Sequence, residues 1–158
     1  MPFDWRFLIL ALPIAGKIMR TFSRDELLTF LNEMLEAERA GAKALLHISK
    51  EAQDATASAL AMAVHHDEAR WCAMLIAAIR LHGGVASDAT GAFYEKVLAI
   101  ADAKARLAFV NRGQGWVVKK LKEAIPHIAD EHLAKDLAVM LTSHEENIAK
   151  VNESGLAR

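Results

Sequence analysis

The sequence predicts an all-α protein built on four long helices packed as a bundle. Its 158 residues hold only three prolines, Pro2, Pro13 and Pro126, so long stretches run without a helix breaker. Those stretches are rich in Ala, Leu, Glu and Lys, which are strong helix formers. Within them the apolar residues recur at helical spacing, about 100° per residue, instead of alternating as in a strand.

Composition bounds the rest. With 53% hydrophobic and 25% charged residues and a formal net charge of −1, the chain reads as one domain with a real core, not as a disordered tail or a nucleic-acid-binding surface. The one cysteine, Cys72, excludes an intramolecular disulfide and fits a cytoplasmic, reducing setting. Residues 1–21 form an apolar leader unlike the remainder. Its run from Phe7 to Ala15 is too short for a stable membrane span and is broken by Pro13. Only Arg6 precedes the run and no clear small-residue cleavage site follows, which argues against a signal peptide. The leader is read either as a segment that packs on a neighbouring surface or as an over-extended start, with Met19 opening the domain.

The first helix should begin at Ser23, an N-cap with Glu26 three residues on as its capping-box partner, and run to about Ser49. Leu27, Leu28, Leu31, Leu35, Ala42 and Leu45 form its apolar stripe, and Glu38 lies within about 20° of the stripe centre. The second helix, from about Asp54 to His82, is stopped by Gly83-Gly84. Leu60, Val64, Trp71, Leu75 and Ile79 share one arc with Glu68, while His65 falls on the rim and His66 on the far side. Val85 to Ala103 is too long for a bundle hairpin. It carries a polar turn, Ser87–Gly91, expected to be exposed with few contacts, and an amphipathic piece, Phe93–Ile100; this is a suitable length for a crossover running back along the bundle.

The third helix, about Asp102 to Ala124, turns Leu107, Val110, Val117, Val118 and Leu121 inward around Gln114. Gly113 and Gly115 flank that glutamine, a combination tolerable where another backbone or a bulky side chain comes close. Trp116 points the other way, and with the leader it supplies apolar surface that suggests a homodimer. Pro126 breaks the chain. The fourth helix, roughly His127 to Asn152, carries Leu133, Leu137, Met140, Leu141, Ile148 and Val151 inward, with His144 at the centre of the arc and Glu145 about 90° away. Residues 154–158 are a short tail.

Each long helix thus aims one polar residue into its apolar face near mid-length: Glu38, Glu68, Gln114 and His144. In this layer, in the order and size of its helices and in the expected crossover, the chain from about Phe22 to Glu153 resembles the ferritin-like superfamily. The di-iron members of that superfamily take a Glu from each of two helices and a Glu-x-x-His pair from each of the other two. Here Glu38 stands at the first helix's position and Glu68 opens the second helix's pair, with Trp71 in the place of its histidine. Gln114 replaces the third helix's carboxylate, and His144 is present in the fourth helix with Leu141 where its Glu would be. The resemblance therefore implies a ligand-depleted branch.

Two chemistries fit such a set. The layer can be a metal-free ionic and hydrogen-bonded knot, in which a protonated His144 or a shared proton offsets Glu38 and Glu68. That reading implies a non-catalytic binding or structural module with a degenerate metal site and no required cofactor. Alternatively Glu38, Glu68 and His144, with Gln114, hold one divalent ion of iron, manganese or zinc in an oxidoreductase. Other chemistry finds no support: there is no phosphate-binding Gly-rich loop and no Gly-x-Ser-x-Gly elbow. Cys72, beside the buried stripe, makes a poor nucleophile partner for His65 and His66 on its own helix. Lys119, Lys120 and Lys122 read as a solvated face, not a nucleic-acid surface, and His47, His82, His127 and His132 as exposed residues near helix ends. A protein partner or a small ligand is left open.

Overall fold

In the computed structural model, which describes residues 19–157, every long helix starts where a short polar side chain caps it. Ser23 and Glu26 form the expected capping box at the head of α1 (Arg24–Glu51). Asp54 accepts from the Thr56 N–H at the head of α2 (Ala55–Leu81), and Asp102 from Ala105 before the fourth helix in chain order, α4 (Ala103–Ala124). A short α3 (Phe93–Leu98) precedes α4, and α5 (Glu131–Ser154) follows it. The caps satisfy N–H groups that have no partner inside the helix and place negative charge on the positive end of its dipole. No strand occurs among the described residues, and the fold is an all-α helical bundle. The leader's apolar run, within residues 1–18, lies outside the described residues.

The last long helix does not begin at His127. Ile125–His127 instead forms a 3-10 turn around Pro126, and Asp130 provides the cap by accepting from the His132 and Leu133 N–H groups. Neither are the end-of-helix histidines uniformly exposed. His82 pairs with Asp130 at 3.3 Å and the His127 ring stacks on Phe22 at 5.4 Å, leaving His132 as the exposed member of that group and His47 half-buried.

The helical stripes meet in two apolar clusters. One, towards the end where α1 starts, joins Leu31, Leu35, Leu75, Ile79, Leu121 and Leu137. The other, at the opposite end, joins Leu45, Ile48, Ala61, Val64, Val97 and Val110. In α1, α2 and α4 the polar layer residue falls between the stretches that feed the two clusters, so the layer separates them.

The segment after α2 crosses the length of the bundle along α1. Arg24 binds the carbonyls of His82 and Gly83 at 3.0 and 2.6 Å, Asn32 binds Val85 and Ser87, and Lys43 reaches Thr90 at 2.9 Å. Arg106 then ties the head of α4 to Glu51, at the far end of α1, at 2.7 Å. Because the contact points on α1 advance with the crossover, α4 starts at the end where α2 started and runs parallel to it. The Ser87–Gly91 turn is accordingly not a loose one. The Ser87 hydroxyl donates to Glu36 at 2.5 Å, and the Arg39 guanidinium holds the Ser87 carbonyl at 2.8 Å and the Ala89 carbonyl beside it.

Removing that clamp should loosen the crossover selectively. Arg39→Ala is expected to cost about 1–2 kcal/mol, the loss of two partly exposed charge-assisted hydrogen bonds, and to speed proteolytic cutting between Val85 and Thr90. Limited proteolysis with mass mapping checks this; unchanged cutting there, or new cutting spread through α4, would contradict it.

Candidate functional site

The four inward polar residues are brought to one level by their mid-helix positions, and all are buried, with 1% exposure at Glu38 and His144 and 4% at Glu68 and Gln114. They bond in two pairs. His144 Nε2 lies 3.1 Å from Glu38 Oε1, and the Gln114 amide donates to Glu68 Oε1 at 3.0 Å. The other ring nitrogen of His144 faces the Met140 carbonyl at 3.0 Å. With acceptors opposite both nitrogens, the ring satisfies them either as imidazolium or by sharing one proton with the Glu38 carboxyl.

The charges follow from this geometry. Burial by itself disfavours a charged His144, but the charge and hydrogen bond of Glu38, the Met140 carbonyl and the charge of Asp67 outweigh it, and its pKa rises above the ordinary 6.5. Glu68 moves the same way for a different reason. Burial first, then the negative charges of Glu38 and Asp67, push its carboxyl well above the ordinary 4.5.

Gly41 makes room for this arrangement, and the sequence alone did not single it out. A Cβ built there would stand 2.2 Å from Glu68 Oε2, so the carboxyl lies against bare α1 backbone. Asp67, one residue earlier on α2, is a second missed member; it accepts from Asn147 at 3.1 Å, and Asn147 is itself buried. Of the residues standing where the ferritin-like pattern has ligands, Trp71 is buried with an unpartnered indole N–H and Leu141 is half-buried against the apolar core. Glu145 is outside the layer, paired with Lys122 at 2.6 Å. The Cys72 thiol is pushed up to about 12 by burial and by Glu38, so it stays protonated.

Above the layer is a pocket of about 450 Å³ between α1, α3 and α4. Glu38, Glu68, Gln114 and His144 all line it. Its walls are Val110, Val117, Phe93 and Phe109, whose rings stack at 5.2 Å, and exposed Gly91, Arg112 and Trp116 stand at its rim. Trp116, expected to face away from the core, does so, and its ring carries the Lys120 ammonium at 5.2 Å. Gly113 is the close approach that the glycine pair suggested: a Cβ there would stand 2.6 Å from Phe93 Cζ, whereas Gly115 has open space.

The donor set does not fit a paired-metal centre. An indole, a leucine and an amide stand where a histidine and two carboxylates are needed, and His144 has both nitrogens engaged. Among the described residues, no three His, Cys, Asp or Glu side chains are grouped to hold a metal ion.

The family whose sequence model matches this chain is a domain of unknown function, DUF6306, over residues 25–153. The chain belongs to the DUF6306 family. That match runs from the first turn of α1 to the last turn of α5 and so contains the whole polar layer and its pocket. No curated protein and no solved structure matches it.

Two outcomes follow for this DUF6306 chain. A group whose pKa is raised on folding binds more protons folded than unfolded between its two pKa values, so its stabilising share is full below the unfolded pKa and is lost as pH rises through the folded one. Stability should therefore decline as pH climbs above 4.5 through Glu68, and again above 6.5 through His144. In Glu68→Gln the first decline should vanish and the second remain, which urea denaturation from about pH 5 to about pH 9 will resolve; a flat wild-type profile would contradict the assignment. The glycines give the second outcome. Gly115→Ala should stabilise by roughly 0.5–1 kcal/mol, as for a glycine replaced in an open helix interior, whereas Gly113→Ala should lose that gain by displacing Phe93. Equal effects in the two melting curves would refute the close approach.

Proposed function

We propose that this DUF6306 chain is a non-catalytic binding module of ferritin-like fold, whose polar layer is the floor of a small-molecule pocket in place of a paired-metal site. The observation that carries this reading is the pocket itself, which combines apolar walls with four buried polar side chains converging at its base. Its volume of about 450 Å³ lies within the range of small-ligand sites, and a few fixed polar groups in an apolar cleft are the usual means of orienting a ligand. A knot serving stability alone has no need of an access path from the surface.

The second reading, a metal-dependent oxidoreductase with one divalent ion on Glu38, Glu68 and His144, draws support from buried oxygens in the layer that lack a donor. It requires His144 to give up its bond to Glu38. Homodimer assembly, through apolar surface such as exposed Trp116, and residence in the cytoplasm, in keeping with a free Cys72, belong to the same proposal.

The test is titration with a small neutral naphthalene dye. Saturable binding with blue-shifted emission is expected in the wild type and should be lost in Ala37→Phe, which places a ring in the pocket. Binding that ignores this substitution would remove the pocket reading. A rise in melting temperature on adding Mn²⁺, Fe²⁺ or Zn²⁺ that disappears in His144→Leu would favour the oxidoreductase. A monomer mass independent of concentration in light scattering would reject the dimer.

A further inference from the structure

We propose that the ligand of this pocket is a primary amine, an apolar body whose ammonium head is seated on Glu38, Glu68 and Gln114. The inference rests on the binding-module reading and adds the chemical class of the ligand.

Three residues that line the pocket each carry a buried oxygen with no hydrogen-bond partner among the described residues: Glu38 Oε2, Glu68 Oε2 and Gln114 Oε1. Buried acceptors are costly to leave unpaired, and most in folded proteins find a partner. A ligand completing this floor must therefore bring donors. Its own cation cannot supply them, because the two nitrogens of His144 already face Met140 and Glu38.

The three acceptors also decide the sign and shape of the head group. A carboxylate or phosphate would set acceptor against acceptor beside the Glu38 charge. A hydroxyl brings a single donor. An ammonium brings three N–H donors and a positive charge to a site with two carboxyl groups, making charge-assisted bonds, which are the stronger kind.

The body of the ligand follows from the walls. The stacked rings of Phe93 and Phe109 and the side chains of Val110 and Val117 offer only apolar contact. Gly41 and Gly113 let the Glu68 carboxyl and the Phe93 ring lie against α1 and α4, and the cavity of about 450 Å³ beside them has room for an alkyl or aryl chain. The aromatic rings also suit passage of a cation towards the floor.

Calorimetry on the full chain with four probes of equal chain length tests this: n-hexylamine, n-hexanol, hexanoate and hexyltrimethylammonium. Hexylamine should bind about ten-fold or more tighter than hexanol, as expected for added charge-assisted hydrogen bonds, and hexanoate weakest. Hexyltrimethylammonium, with the charge but no N–H, should also fall behind hexylamine. In Glu38→Gln and in Glu68→Gln the preference for hexylamine over hexanol should shrink to within about three-fold, with a cooperative thermal melt as the sign that the bundle is intact. Equal binding of hexylamine and hexanol, preference for hexanoate, or equal binding of hexyltrimethylammonium would overturn the amine assignment while leaving the pocket reading in place. Mn²⁺ binding that excludes hexylamine but needs His144 would assign the oxygens to a metal and overturn it as well. If neither the four probes nor the neutral dye binds, the pocket reading fails and the amine assignment fails with it.

Discussion

The pair between Glu38 and His144 sits buried in the middle of the bundle at 3.1 Å, with the Glu68 carboxyl near enough for its ionisation to respond to the Glu38 charge. Charges in such a place are tolerated only when each has a partner and its remaining hydrogen-bonding positions are met. Much of the surrounding structure answers that requirement. The Met140 carbonyl takes the second nitrogen of His144, Gln114 donates to Glu68, and Glu68 itself is pushed towards its neutral form. An apolar cluster on either side keeps the layer at one level.

Close packing around the layer depends on what is missing as much as on what is present. At Gly41 the absent side chain lets α2 lay a carboxyl against α1, and at Gly113 it lets the Phe93 ring of α3 lie on α4. Phe93 arrives there because the crossover is pinned to α1 step by step, from Arg24 through Asn32 and Arg39 to Lys43. The crossover is therefore more than a connection. It sets the direction of α4 and builds one wall of the cavity above the layer.

Where the pattern that the sequence resembles has carboxylates and histidines, this chain carries groups of other chemistry. Trp71 and Leu141 are apolar where ligands would stand, and Gln114 keeps the shape of a carboxylate without its charge. An amide in that position can donate to Glu68 through its nitrogen, which a carboxylate cannot, and its oxygen is left buried and without a partner among the described residues.

The sequence by itself determined the helices, their inward faces and the four polar residues at their centres. Periodicity, capping residues and the Gly83-Gly84 stop are local signals written within each helix. The last helix starts at Glu131 and not at His127, because the break at Pro126 is followed by a 3-10 turn and the cap is supplied four residues on by Asp130. Tertiary structure decided everything that depends on two elements meeting. Glu38 chose His144 as its partner and Glu68 chose Gln114; Gly41, Asp67 and Asn147 entered the site; and the Ser87–Gly91 turn was clamped where a loose one was expected. The physical reason is that a helical face states which residues point inward, whereas the identity of the atoms they meet, and the space left between them, depends on how the faces are rotated and set against one another.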